Sequence, residues 1–385
     1  MEEKEKAFAY WLNSAPGIGT KAIRKLEERC RDVEEIYREG EKLFKRVLSE
    51  KQARELTLFS EKWDVEGEYE SLKETGVIFT TVHDTEYPDS LREIPDPPYG
   101  LFWKGALPKK NTMAVAVIGA RDCSEYGSYV ARELGGTLGR YGIQVVSGMA
   151  RGIDGISQQA ALDAGGSSFA VLGCGVDICY PARSKTLYDR LLEQGGILSS
   201  YPPGTSPQPN LFPPRNRIVS GLSDAVVVVE ARHKSGTLIT VDMALEQGRE
   251  VYAVPGRLTD RFSDGCNRLL KQGAGILLSP KEFVAELCAL FPHKLPSLSQ
   301  AEAAAGKQGE AAEGPDAGIF PWGVISGEEQ KVWTSLDFYP QSVEQIREKL
   351  GGVLSYPQAL QILARLCLAG AAQQAAPGYF QKKVP

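Results

Sequence analysis

The chain has 385 residues, 42% of them hydrophobic and 24% charged, and a formal net charge of −5. Such a length suggests two or three domains, and the composition supplies both a large core and a soluble surface, which excludes wholesale disorder. The longest apolar runs, AVAVIGA at 114–120 and DAVVVVEA at 224–231, fall far short of the roughly 20 residues that cross a bilayer, so no membrane contact is expected. The N-terminus MEEKEKAFAYW mixes both charge signs without an apolar signal core, and a cytoplasmic location is expected. Seven scattered cysteines without a CxxC pair read as free thiols, so neither a metal nor a redox couple is expected. None of the three histidines, His83, His233 and His293, has a nucleophile or second ligand at motif spacing, which leaves histidine acid/base catalysis without support. The acidic balance argues against polyanion binding by the whole surface and leaves room for a local basic groove.

In chain order, residues 5–50 read as helices, with Phe8, Trp11 and Leu12 at helical spacing. They are broken at PGIGTKA, where Gly17 and Gly19 permit a tight turn and Thr20 can cap the helix bearing Lys21, Arg24 and Lys25. A helix start beside cations can hold a backbone phosphate, as in a helix-hairpin-helix element; an ordinary helical hairpin is the other reading. Residues 77–112 hold one strand-like run and the cluster Pro95, Pro97 and Pro98, which forbids regular helix and suggests an extended arm lying on the next domain. Strand-length apolar runs then alternate with helices, at 114–119, 143–147, 168–173, 197–199, 225–230, 251–254 and 275–278. Continuous apolar strands between helices predict a mostly parallel sheet covered on both faces, an extended Rossmann-like doubly wound α/β domain. Residues 293–324 are rich in Ala, Gly, Ser, Gln and Glu and read as a flexible linker. Beyond it, three helical patterns and a hairpin turning at Pro377-Gly378 give the layout of a winged helix, whose third helix carries Arg365 as its only cation. The expected divisions are a helical module (helix-hairpin-helix or SAM-like) at 1–74, the Rossmann-like domain at 75–292, the linker at 293–324 and the winged helix at 325–385.

In a doubly wound sheet, ligands bind outside the carboxyl ends of the strands. The first strand runs into GARDCSEYG, with Gly119 allowing close approach and Arg121 at the edge; this is no GxGxxG fingerprint, and no acid ends the second strand to hold a ribose. The second strand ends in SGMARGID. Here Ser147, Gly148 and Gly152 shape a turn before a helix, Asp154 can cap amides or orient Arg151, and the amides with Arg151 suggest a phosphate seat. Gly173 and Gly175 follow the third strand, with Arg183 and Lys185 beyond Tyr180-Pro181. Arg215 and Arg217 flank Asn216 in FPPRNR, and Lys234, Ser235, Gly236 and Thr237 open a further helix. Glycine, hydroxyl and cationic side chains on one rim suit a chain of phosphates, and Phe212, Tyr180 and Tyr201 can stack bases beside them.

In this order and spacing, GAR, SGMARGID, LGCGVDICYP, FPPRNRIVSGLS, SGTLITVDMALEQGREVYAVPG and GCNRLLKQGA resemble the DNA-processing protein A family (DprA, also called Smf) over roughly 75–290. The resemblance implies a homodimer that binds single-stranded DNA and loads RecA onto DNA coated by single-strand binding protein, in natural transformation and recombination. It implies a basic pocket of Arg121, Arg151, Arg183, Lys185, Arg215 and Arg217 floored by Ser235, Gly236 and Thr237, with no cofactor and no catalysis. The chain departs from the family in having Ser199-Ser200 where an acid commonly precedes the Tyr-Pro-Pro-Gly turn, and SGT for SGS. The rival reading is a nucleotide or nucleotide-sugar hydrolase on a related Rossmann variant, supported by the SGT helix start after Glu230; the PGGxGT motif of such enzymes is missing.

Overall fold

The structure is a computed structural model that describes residues 2–295, 319–320, 323–324 and 327–383, and they fall into two compact units. Five helices open the larger unit: α1 (Glu3–Ser14), α2 (Thr20–Glu27), α3 (Val33–Val47), α4 (Glu50–Ser60) and α5 (Val65–Glu74). Each turns one apolar face inward, with Trp11, Leu12, Ile23, Leu26 and Ile36 essentially buried. Asp32, Ser49 and Asp64 cap α3, α4 and α5 by accepting from amides in the first turn. The cap expected from Thr20 does not form. Gly19 holds that position, and the Thr20 hydroxyl accepts instead from the Tyr99 amide at 3.4 Å. The core of these helices continues into the sheet, where Tyr10 packs on Phe79 and Phe102 with ring centres 5.7 and 5.8 Å apart.

The 9-stranded sheet holds β1 (Ile78–Thr81), β2 (Gly100–Gly105), β3 (Ala114–Ile118), β4 (Gln144–Ser147), β5 (Ser168–Val171), β6 (Gly195–Ser199), β7 (Ala225–Val228), β8 (Glu250–Ala253) and β9 (Gly275–Ile276). Its spatial order is β1-β2-β6-β5-β4-β3-β7-β8-β9. All pairings from β6 across to β9 are parallel. The stretch read as an extended arm is corrected: β1 and β2 pair antiparallel with each other, and β2 with β6, so the arm is the edge of the sheet itself. Its prolines stay in the connection between the two strands, where the Tyr87 hydroxyl donates to the Pro98 carbonyl at 2.8 Å.

Between and after the strands lie α6 (Asp89–Arg92), α7 (Glu125–Arg140), α8 (Ile153–Asp163), α9 (Lys185–Gln194), α10 (Phe212–Gly221), α11 (Thr237–Glu246), α12 (Asp264–Lys271) and α13 (Pro280–Leu290). From β3 the chain steps outward through β4, β5 and β6, then returns to place β7 on the other side of β3. The order therefore reverses between β3 and β7, and a crevice opens where their carboxyl ends part. Among the described residues, no helix is long and apolar enough to cross a membrane.

In the smaller unit, helices Gly327–Ser335, Val343–Lys349 and Tyr356–Leu368 are followed by strands Ala372–Ala376 and Tyr379–Lys382, paired antiparallel. Gly378 turns the hairpin at φ 76°, a left-handed value that glycine takes without strain. Val332, Ile346, Leu363, Leu366 and Phe380 form the core. This is the helix and hairpin order of a winged helix. Arg365, the cation of the third helix, lies 3.7 Å from Glu329. Most of the expected linker at 293–324 lies outside the described residues; within it, 319–320 pairs antiparallel with 323–324.

Candidate nucleic-acid interface

A cleft of about 570 Å³ occupies the crevice at the reversal of strand order. Gly119 and Arg121 enter it from the end of β3, Gly148 from the turn between β4 and α8, Asp154 from the first turn of α8, and Arg215 and Asn216 from α10. Ser235, Gly236 and Thr237, at the start of α11, close the far side. The Thr237 hydroxyl donates to the Gly119 carbonyl at 3.3 Å, tying the two lips of the crevice together. Ser235 accepts from the Thr237 amide at 3.2 Å, and Gly236 holds the cap position of α11 without a side chain. The amides of the first turn are already taken, Thr237 by the Ser235 hydroxyl and Leu238 and Ile239 by the carbonyls of Ser235 and Gly236, so an anion at this helix start is favoured by the helix dipole.

The floor is a lock of two buried opposite charges, each held by backbone groups and acting on the other through space. Arg215 and Asp154 are buried, at 6% and 9% exposure. The guanidinium donates to the carbonyls of Gly148, at 3.2 Å, and Val171. The Asp154 carboxylate accepts from the Gly148 amide at 3.1 Å, with the Ala150 amide also directed at it. The seat of amides that the sequence suggested for phosphate is thus taken by the protein's own carboxylate, and Asp154 faces Arg215 rather than Arg151. Burial pushes the Asp154 carboxyl above its ordinary value, against the pull of Arg215 and the amides, and it lowers the pKa of Arg215. A Cβ on Gly148 would lie 2.7 Å from the Arg215 guanidinium and 2.9 Å from the Asp154 carboxylate, so only glycine leaves the lock intact.

Above the floor stands a wall of three flat groups. The Arg121 guanidinium lies 5.6 Å from the centre of the Phe212 ring, and Tyr180 stacks on Phe212 at 5.7 Å with planes 28° apart. Tyr180 is 43% exposed. A Cβ on Gly173 would lie 2.6 Å from Phe212, so that glycine admits the ring. The wall separates the main cleft from a hollow of about 220 Å³, where Arg121, Arg151, Arg183 and Arg215 all reach the lining. Arg151 carries an exposed ion pair with Asp122, a bond of the kind worth little in water and readily exchanged for another anion.

Other expected site residues lie elsewhere. Arg217 points away from the cleft and pairs with the Asp96 carboxylate at 2.5 Å, beside Gly19 and Lys21. The reason is helical geometry: 212–221 is helix α10, entered through Pro213 and Pro214, and residues two apart on a helix face different sides. Lys185 begins α9, pairs with Asp189 at 2.5 Å and lines none of these hollows; Lys234 is exposed beside the lip without lining the cleft. Gly175 packs against Pro202 and Asp177, and Ser147 is buried, donating to the Val117 carbonyl at 2.7 Å. Tyr201 donates to the Leu211 carbonyl at 3.0 Å and covers the turn instead of standing in the cleft. Gly152 adopts φ 82° at the start of α8, with a Cβ there only 2.3 Å from the Ala120 carbonyl.

All seven cysteines are free; Cys174, Cys266 and Cys288 are buried, and burial pushes the Cys174 thiol up to about 11. Among the described residues, no group of three or more His, Cys, Asp and Glu side chains is placed to hold a metal ion.

Residues 78–288 match the DNA recombination-mediator protein A family. The chain is 42% identical over 206 residues to the DNA processing protein DprA of Streptococcus pneumoniae, covering 54% of this chain and 73% of the relative. It is 32% identical over 299 residues to the Smf protein of Synechocystis, 73% of either chain. Among solved structures, S. pneumoniae DprA superposes with a TM-score of 0.64 at 34% identity, over 72% of this chain and 96% of that one. DNA processing protein A from Helicobacter pylori, described for its single-stranded DNA binding mode, gives 0.50 at 30% identity over 55% and 96%. On the match across the whole nine-stranded sheet, this chain belongs to the DNA recombination-mediator protein A family.

Proposed function

We propose that this chain binds single-stranded DNA in the cleft at the strand-order reversal and acts there as a recombination mediator without catalysing a reaction. The observation that carries the reading is the meeting of Arg121, Arg151, Arg183 and Arg215, drawn from four separate segments, on one lining. Phosphates would lie along these guanidinium groups and at the start of α11, and bases would stack on the wall of Tyr180, Phe212 and Arg121. A duplex keeps its bases paired and out of reach of that wall. Family membership extends the reading to a homodimer that protects the strand, works on DNA coated by single-strand binding protein and loads RecA during transformation or recombination. Against the hydrolase reading, Glu230, the acid that precedes the Ser235–Thr237 loop, is buried at 1% exposure and does not line the cleft.

Mobility shift with single- and double-stranded oligonucleotides of equal length, with and without RecA, tests the proposal. Preferential binding of the single strand and a RecA-dependent supershift are expected. Equal affinity for both forms refutes the stacking part, and release of free base from a nucleoside monophosphate favours the hydrolase.

A further inference from the structure

Beyond the hollow that holds Arg151 and Arg183, a second groove of about 390 Å³ runs over the outer face of α8 and α9. Arg151 and Arg183 line both cavities, so the groove continues the surface that begins in the central cleft. Arg132, from α7, joins them on its lining, with the hydroxyl side chains of Ser184 and Thr186. Its one acid, Asp163, is already paired with Arg190. The result is a wall of arginines and short hydroxyls with its only carboxylate neutralised, which is the chemistry that receives phosphate oxygens.

We infer that this groove holds the phosphodiester backbone of the strand as it leaves the central cleft, so that bound DNA has a fixed exit over α8 and α9. The inference rests on the single-strand reading of the cleft and adds a site with its own residues. Arg132 and Arg183 contact consecutive phosphates, Thr186 donates its hydroxyl, and Arg151 exchanges Asp122 for a phosphate. Because the groove lacks an aromatic wall of the Tyr180 and Phe212 kind on its lining, it takes backbone without reading bases.

The test is anisotropy of labelled thymidine oligomers on the full chain, from lengths that fill only the central cleft to lengths that pass the groove. Thr186→Glu, which sets an anion on an exposed position, should bind the long oligomers about tenfold more weakly and the short ones like the parent. Arg132→Gln should show the same length dependence, with the salt slope for long oligomers falling by about 0.7 for each phosphate that is no longer neutralised. If both variants bind long oligomers as the parent does while Arg121→Ala weakens every length, the exit is overturned and the central cleft stands. Equal weakening of short and long oligomers by Thr186→Glu also overturns it, since a separate phosphate site would act without regard to length. If Arg121→Ala leaves every length unchanged, the cleft reading fails and the exit with it.

Discussion

Asp154→Asn removes one buried negative charge while keeping the size and shape of the side chain. The guanidinium of Arg215, 6% exposed, keeps its carbonyl acceptors on Gly148 and Val171 but loses its counter-charge. A buried charge stripped of its partner costs about 3–5 kcal/mol, and the surviving carbonyl acceptors put this case at the low end, about 3 kcal/mol. For a unit of this size, where 1 kcal/mol moves the midpoint by roughly 2 °C, melting should fall by about 6 °C. Scanning calorimetry on the parent, on Asp154→Asn and on the double variant Asp154→Asn/Arg215→Met gives the comparison. The double variant buries neither charge and should recover most of the loss. Arg215→Met alone behaves differently with pH. Burial already raises the pKa of Asp154, and without the guanidinium it rises further, so the folded chain keeps a proton that the unfolded chain has released. That variant is therefore most stable at and below the ordinary carboxylate range and loses stability as pH climbs to the raised value. An Asp154→Asn chain that melts within about 1 °C of the parent would refute the account of the lock.

Arg217→Ala should leave single-strand affinity at the parent's value and lower stability by about 1 kcal/mol, because its partner is Asp96; anisotropy and thermal melting read the two effects, and a drop in affinity returns Arg217 to the track. Gly152→Ala forces a side chain onto φ 82° and against the Ala120 and Arg121 carbonyls, so it should cost at least about 1–3 kcal/mol and weaken DNA binding by displacing the Arg121 loop. A variant with unchanged melting and affinity contradicts that reading. His83 has its pKa raised chiefly by its hydrogen bond to Glu27, at 2.9 Å. The stability it adds is complete below the ordinary histidine value and lost as pH rises through the raised one, so the melting gap between parent and His83→Gln should be widest in mild acid and close in alkali. A gap that does not change with pH denies the ion pair.

The parallel core was legible because β3 and β7 are unbroken apolar runs, a pattern that only a sheet covered on both faces explains. The antiparallel strand β2 was not, because three prolines precede it and Lys104 interrupts its apolar run. Arg121, Arg151 and Arg183 could be found from their places after strands, where the fold gathers ligand groups. Arg215 and Arg217 read alike as loop cations, although the proline pair at 213–214 marks a helix start and a helix sends them to different sides. The role of Asp154 depends on Arg215 reaching it from a helix some sixty positions along the chain, a tertiary fact with no local signal. Arg132 lies mid-helix on α7, where a lone arginine looks like any solvated side chain. The joining of the N-terminal helices to the sheet through Tyr10, Phe79 and Phe102 likewise appears only once the strands are in place.

The most direct test is the salt dependence of single-strand binding by the parent beside Arg121→Ala, Arg183→Ala and the two combined. Convergent guanidinium groups on one phosphate track predict a slope of log K on log salt that flattens by about 0.7 with each guanidinium removed, the two decrements adding in the pair. Slopes that stay parallel to the parent's in all three variants, with melting unchanged, would mean that these arginines do not hold the strand.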